Sequence, residues 1–140
     1  MIISRQNQLL MANYVNAKAR IIFVSKDIVC FLMIEKLFSR LGWELICKDE
    51  IDNLNQIVEG YPSVAAIIID GALLSDEHEH LIRWLRQLHH ETVLILTDHF
   101  STTMLSKAIH FGFDEFVAKP FNTAQIKLIL ERKLLHTVDE

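Results

Sequence analysis

VAAIIID, residues 64–70, is six apolar residues closed by an acid. A run this short and this continuously apolar reads as a strand covered on both faces, because a strand with one wet face would alternate polar and apolar residues. Working outward, β-rich apolar runs recur at IIFV (21–24), ELIC (44–47), TVLIL (92–96) and EFVA (115–118). Segments of helical period lie between them. Phe31, Ile34, Phe38 and Leu41 fall at steps of three and four and share a face, and Gly42 stops that helix. A second helix is expected near Asp52–Glu59 before Gly60, a third over Glu77–Leu88, and a fourth from Ser101 to Gly112. The last follows Asn122, a good N-cap, and carries Ile126, Leu128 and Leu130.

Five strands alternating with five helices predict a (βα)5 α/β fold. Right-handed crossovers then require a doubly wound, open parallel sheet with helices on both sides. Functional residues in such sheets lie at the carboxyl ends of the strands. The chain has 140 residues, with 51% apolar, 23% charged and a net charge of −4. Those values fit one ordinary globular domain and argue against nucleic acid as the main partner. Residues 19–140 are read as the domain and residues 1–18, which show no clean period, as an N-terminal arm or a short helix laid on it.

The longest apolar run, IVCFLMI, stops at Glu35, far short of a membrane span. MIISRQNQLLMANY is too polar and too weakly cationic for a signal peptide, so a cytoplasmic protein is expected. Cys30 and Cys47 lack motif spacing and are read as reduced thiols. His78 and His80 fall on different helix faces, and His89-His90 suits a helix end, so no metal site is expected.

The strand ends hold Ser25-Lys26-Asp27, Asp70, Thr97-Asp98-His99 and Lys119-Pro120-Phe121. Asp70, Thr97 and Lys119 at the ends of strands three, four and five, together with FGFDEFVAKPF (111–121), resemble the receiver domain of two-component response regulators. The resemblance spans about residues 20–135 and is to the chemotaxis-regulator type. It implies the flavodoxin-like strand order 2-1-3-4-5. It also implies Asp70 as phosphoacceptor, Thr97 and Lys119 as phosphoryl-binding groups, and Phe116 as the switch aromatic. The chemistry needs those types. A carboxylate attacks phosphorus, and a lysine, a hydroxyl and Mg²⁺ take up the charge on the equatorial oxygens.

The match fails at the metal. Receivers place two adjacent acids after the first strand, and here those positions are Ser25 and Lys26. Asp27 comes one residue late and is expected to cap the first helix. Asp98 stands where a small residue is usual, and Leu74 where a proline is usual. Asp27 and Asp98 are the candidate substitute ligands, but one carboxylate between two lysines is formally cationic, so no metal is expected. Lys26 and Lys119 are expected to flank Asp70 and lock it in its ionised form.

The resulting expectation is a degenerate receiver-like module that acts by protein contact and is not an enzyme. Its partners would be a histidine kinase, a phosphotransfer protein or an effector, since no helix-turn-helix pattern follows residue 135. A homodimer through the face of helix four, strand five and helix five is also expected, using Lys107, His110, Phe116, Lys127, Glu131, Arg132 and Lys133. The alternative is a working phosphoprotein that receives its phosphoryl group on Asp70 with Mg²⁺. A second alternative, a flavodoxin-like redox protein, is disfavoured because SKDIV lacks the hydroxyl and glycine donors that a flavin phosphate needs.

Overall fold

The computed structural model describes residues 19–61 and 63–139, with side chains described as far as residue 133. The strands are β1 (Arg20–Val24), β2 (Glu44–Lys48), β3 (Ala66–Asp70), β4 (Val93–His99) and β5 (Glu115–Lys119). The helices are α1 (Ile28–Arg40), α2 (Leu54–Glu59), α3 (Glu79–Leu88), α4 (Thr102–Phe111) and α5 (Thr123–Asp139). All strand pairings are parallel, in the order β2-β1-β3-β4-β5. The expected (βα)5 sheet and strand order are therefore present.

The period of two along each strand builds two cores. Ile21, Phe23, Ala66, Ile68, Val93, Ile95 and Val117 point to the α1/α5 side, where they meet Ile34, Phe38, Ile126 and Leu130. Ile22, Val24, Ile67, Ile69, Leu94 and Leu96 point the other way, onto Leu54, Val58, Ile82, Leu85, Ala108 and Phe111 of α2, α3 and α4. β3 is buried at every position, which is what its continuous apolar run requires.

The helix stops follow backbone chemistry. Asp27 accepts a hydrogen bond from the Cys30 N–H at 3.0 Å and Ser101 one from Met104, which caps α1 and α4. Gly112 ends α4 with φ 97° and Gly42 follows α1 with φ 76°, both in the left-handed region. Gly60 ends α2 with φ −75°, so it stops the helix without using that freedom.

Several boundaries move. α2 begins at Leu54 because residues 51–53 form a turn. α3 is preceded by a short 3₁₀ turn, Asp76–His78, and β4 runs on to His99. Leu128 is corrected outright. It lies two residues from Ile126 and Leu130, about 200° round the helix, and is 68% exposed.

Ile68→Ala removes a fully buried side chain from β3 and should cost about 2–5 kcal/mol of unfolding free energy, while Leu128→Ala should stay within about 0.5 kcal/mol. Denaturant titration of both variants checks the ranking, and equal losses would contradict the burial pattern.

Candidate functional site

Strand parity assembles the site. Ser25 continues the Ile21–Phe23 side of β1, Asp70 the Ala66–Ile68 side of β3, Thr97 the Val93–Ile95 side of β4 and Lys119 the Val117 side of β5. All four therefore leave the carboxyl edge of the sheet on one face.

Asp70 is 5% exposed and fully engaged. Its Oδ1 accepts from Lys119 Nζ at 2.6 Å and from the Ala72 N–H at 3.0 Å. Its Oδ2 accepts from Ser25 Oγ at 2.8 Å. Ser25 Oγ in turn accepts from the Asp27 N–H at 3.0 Å, which fixes the hydroxyl proton toward Asp70. Burial pushes the Asp70 carboxyl up. The Lys119 and Ala72 hydrogen bonds, the Ser25 hydroxyl and the Lys119 charge outweigh it together and hold the group below its ordinary value.

One expectation is corrected by this geometry. Lys26 is exposed, and among the described residues Lys119 is the one ammonium ion-paired with Asp70. Lys26 has the opposite parity and lies beyond the end of β1, so its side chain leaves the Asp70 face and, past the edge of the core, reaches solvent. Ser25, at one of the two degenerate acid-pair positions, is the group that meets Asp70. A hydroxyl reaches there because β1 and β3 are hydrogen-bonded neighbours in register.

Thr97 is 1% exposed, and its hydroxyl donates to the Ile69 carbonyl at 3.5 Å, a long contact. Asp98 has the opposite parity, and its Oδ1 accepts from the His99 N–H at 2.7 Å. Its carboxylate lies over Gly71, where a β-carbon would come within 2.3 Å of Asp98 Oδ2. Gly71 is thus what admits an acid at 98. Phe116 is half-buried and meets Phe100 edge-on, with centroids 6.4 Å apart.

The loop after Asp70 is fixed at its far end too. Leu74 is buried, and His78 Nδ1 accepts from the Ser75 N–H at 3.0 Å while its Nε2 meets Asp52 at 3.0 Å. With Nδ1 an acceptor, the proton sits on Nε2. Sequence reading weighed His78 only as a metal ligand. The Ser75-to-His78 spacing of three, that of a reciprocal cap, was the signal for this role.

The residues present do not fit a hard divalent cation. Mg²⁺ takes carboxylate and carbonyl oxygens, whereas both Asp70 oxygens here already face donors, one of them an ammonium. Among the described residues no three His, Cys, Asp or Glu side chains cluster as a metal site. Cys30 and Cys47 are free. Burial, then Asp27, pushes the Cys30 thiol up to about 11, so it stays protonated. No helix among the described residues is long and apolar enough to cross a membrane.

No family model matches the chain, and no curated protein matches it in sequence. Solved structures do match in fold. The receiver domain of the TMAO respiratory system response regulator TorR is 21% identical, with TM-score 0.70, over 86% of this chain and 99% of that one. The signal receiver domain of an HD domain-containing protein from Pseudomonas fluorescens Pf-5 is 21% identical, with TM-score 0.72, over 85% and 88%. The beryllofluoride-activated NtrC4 receiver domain dimer is 16% identical, with TM-score 0.72, over 84% and 97%. At these identities the likeness is one of fold, and the fold is that of response regulator receivers.

The depressed Asp70 carboxyl sets a pH dependence. Its stabilisation is fully present above its unfolded value, near pH 4, and is lost as pH falls through the lower folded value. Asp70→Asn should flatten that acid limb and cost about 1–2 kcal/mol at neutral pH, since the pair is only partly shielded from water. Urea midpoints across a pH series measure both, and a variant that tracks the parent at every pH would contradict the assignment.

Proposed function

We propose that this chain is a receiver-like signalling module that works in the cytoplasm by protein contact and does not run on a Mg²⁺-dependent phosphorylation cycle. One observation carries the reading. Ser25 stands where a metal-binding acid would stand, and its hydroxyl is hydrogen-bonded to Asp70 at 2.8 Å. The hydroxyl and Lys119 hold Asp70 ionised and engaged without phosphate or metal. The likeness of fold to receiver domains supports the signalling role, and with it partners such as a kinase, a phosphotransfer protein or an effector. Binding, in place of a catalytic cycle, then sets the output.

A second reading has its own support. Asp70, Thr97 and Lys119 come from three strands to one edge of the sheet, the set that the receiver resemblance assigns to phosphoryl transfer. On that reading Asp70 is phosphorylated and the chain draws Mg²⁺ through a ligand set other than the acid pair.

The contact surface follows from what is exposed. Lys107 reaches Asp76 in the turn before α3 at 3.3 Å and His110 reaches Glu79 of α3 at 3.3 Å, so both turn toward α3 and its leading turn and leave the α4–β5–α5 face. Lys127 pairs with Glu131 along α5, and Arg132 reaches Glu115 of β5. Alongside polar residues, α4 and β5 with the segment before α4 present a group of apolar ones. Leu105, Ile109, Phe100 and Phe116 line a groove of about 440 Å³, with Ile109 71% and Phe100 65% exposed. Apolar residues grouped on a surface mark an interface. We assign the partner or self-contact to this groove.

Titration with Mg²⁺ and beryllofluoride separates the two readings. The parent should show no saturable response at millimolar Mg²⁺, and Ser25→Asp with Lys26→Asp should acquire one. A parent that binds beryllofluoride stoichiometrically would establish the phosphorylated reading instead. For the surface, Ile109→Glu should weaken partner binding or self-association about tenfold or more, as a buried charge in an interface core does. Unchanged sedimentation and unchanged partner affinity would exclude the α4–β5 groove.

A further inference from the structure

The first two turns of α1 turn four apolar side chains outward. Ile28, Val29, Leu32 and Met33 are 70%, 68%, 54% and 54% exposed. Their spacing of one and four places them on one stripe of the helix, while the second half of the same outer face, Glu35, Lys36, Ser39 and Arg40, is polar. A groove of about 440 Å³ adjoins the stripe, lined by Val29, Cys30, Met33, Pro120, Phe121 and Thr123 among others. A soluble surface rarely leaves such a stripe uncovered. It is separate from the α4–β5 groove, which lies across the sheet.

We infer that residues 1–18 of this same chain cover the α1 stripe and its groove. Three observations converge on that occupant. The first is where the arm joins the domain. Ala19, to which the arm is joined, packs against the core on the α1/α5 side of the sheet, the side on which α1 lies. The second is reach. The last turn of α1 lies at the same end as Ala19, because α1 leads through Trp43 to Glu44, whose N–H donates to the Ala19 carbonyl at 2.7 Å. The stripe is at the other end of the helix, about 20 Å away for thirteen residues. Eighteen residues span about 27 Å as a helix and about 60 Å extended, enough in either conformation.

The third observation is composition. The arm holds Ile2, Ile3, Leu9, Leu10, Met11, Tyr14 and Val15, apolar residues to match an apolar stripe. It also carries Arg5 and Lys18 and no acid, in a chain with 14 basic and 18 acidic residues, so its charge is opposite to that of the body. Asp27 and Glu35, both exposed, flank the stripe and offer partners to those bases. The groove also reaches Asp27, His99 and Lys119, so its polar end adjoins the ion pair of Lys119 with Asp70.

Cys30 lies in the groove and is the native reporter. In a Cys47→Ser background, its reaction rate with a neutral thiol reagent is measured in the whole chain and in a chain that begins at Ala19. Removing the arm should speed Cys30 labelling about tenfold, the factor expected for an arm docked nine-tenths of the time. The rate should not vary with protein concentration. If the shortened chain folds poorly, Leu10→Glu with Met11→Glu in the whole chain should give the same acceleration. Equal rates in arm-bearing, arm-less and charge-bearing chains overturn the inference. Protection that rises with protein concentration also overturns it, since it would make a second copy the occupant.

Discussion

A parallel sheet with helices on both faces has no wet side, and each strand must divide its side chains between two dry cores. That constraint fixes the molecule. In β3 it sends Ala66 and Ile68 under α1 and α5, and Ile67 and Ile69 under α2, α3 and α4. A slip of one residue would exchange the two sets and turn Asp70 into the wrong core. The same alternation, carried past the last apolar residue of each strand, brings Ser25, Asp70, Thr97 and Lys119 out on one face.

Once four polar groups are gathered at a nearly dry edge, their chemistry is limited by what they can satisfy. A carboxylate that is 5% exposed is costly unless its oxygens are occupied. Lys119, Ala72 and Ser25 occupy them, and the net effect stabilises the charged form. A second carboxylate at 25 would have placed two negative charges beside each other and created a demand for a cation. Serine removes that demand and supplies a proton in its place. Position 98 shows a parallel dependence, since the Asp98 side chain takes up space that a β-carbon at residue 71 would occupy. Residue 98 lies in β4 and residue 71 in the turn after β3, and the two read as unrelated until they are placed side by side.

The apolar surfaces divide the same way. α1 exposes its stripe on one side of the sheet, and α4 with β5 exposes a groove on the opposite side. Ion pairs hold the seam between α3 and α4, where Lys107, His110 and Arg86 are bound to Asp76, Glu79 and Asp114. Lys107 and His110, grouped from sequence with the outer face, are therefore used within the domain. The apolar residues that remain outside are the ones free to meet another surface.

The sequence by itself determined the order and type of the elements, since a continuously apolar run such as VAAIIID and a helical period such as Ile34–Phe38 are local patterns set by burial. It also determined the helix caps at Asp27, Ser101 and Asn122, which act within four residues of themselves. Tertiary structure alone decided which neighbour Asp70 has. Ser25 and Lys26 are adjacent in the chain, and the charge on Lys26 made it the expected partner, but strand parity turns Ser25 toward Asp70 and leaves Lys26 in solvent. It likewise decided that Lys107 meets Asp76, that His110 meets Glu79 and that His78 joins Asp52. In each case the deciding quantity is the direction of a side chain relative to an element distant in sequence, which no local pattern encodes.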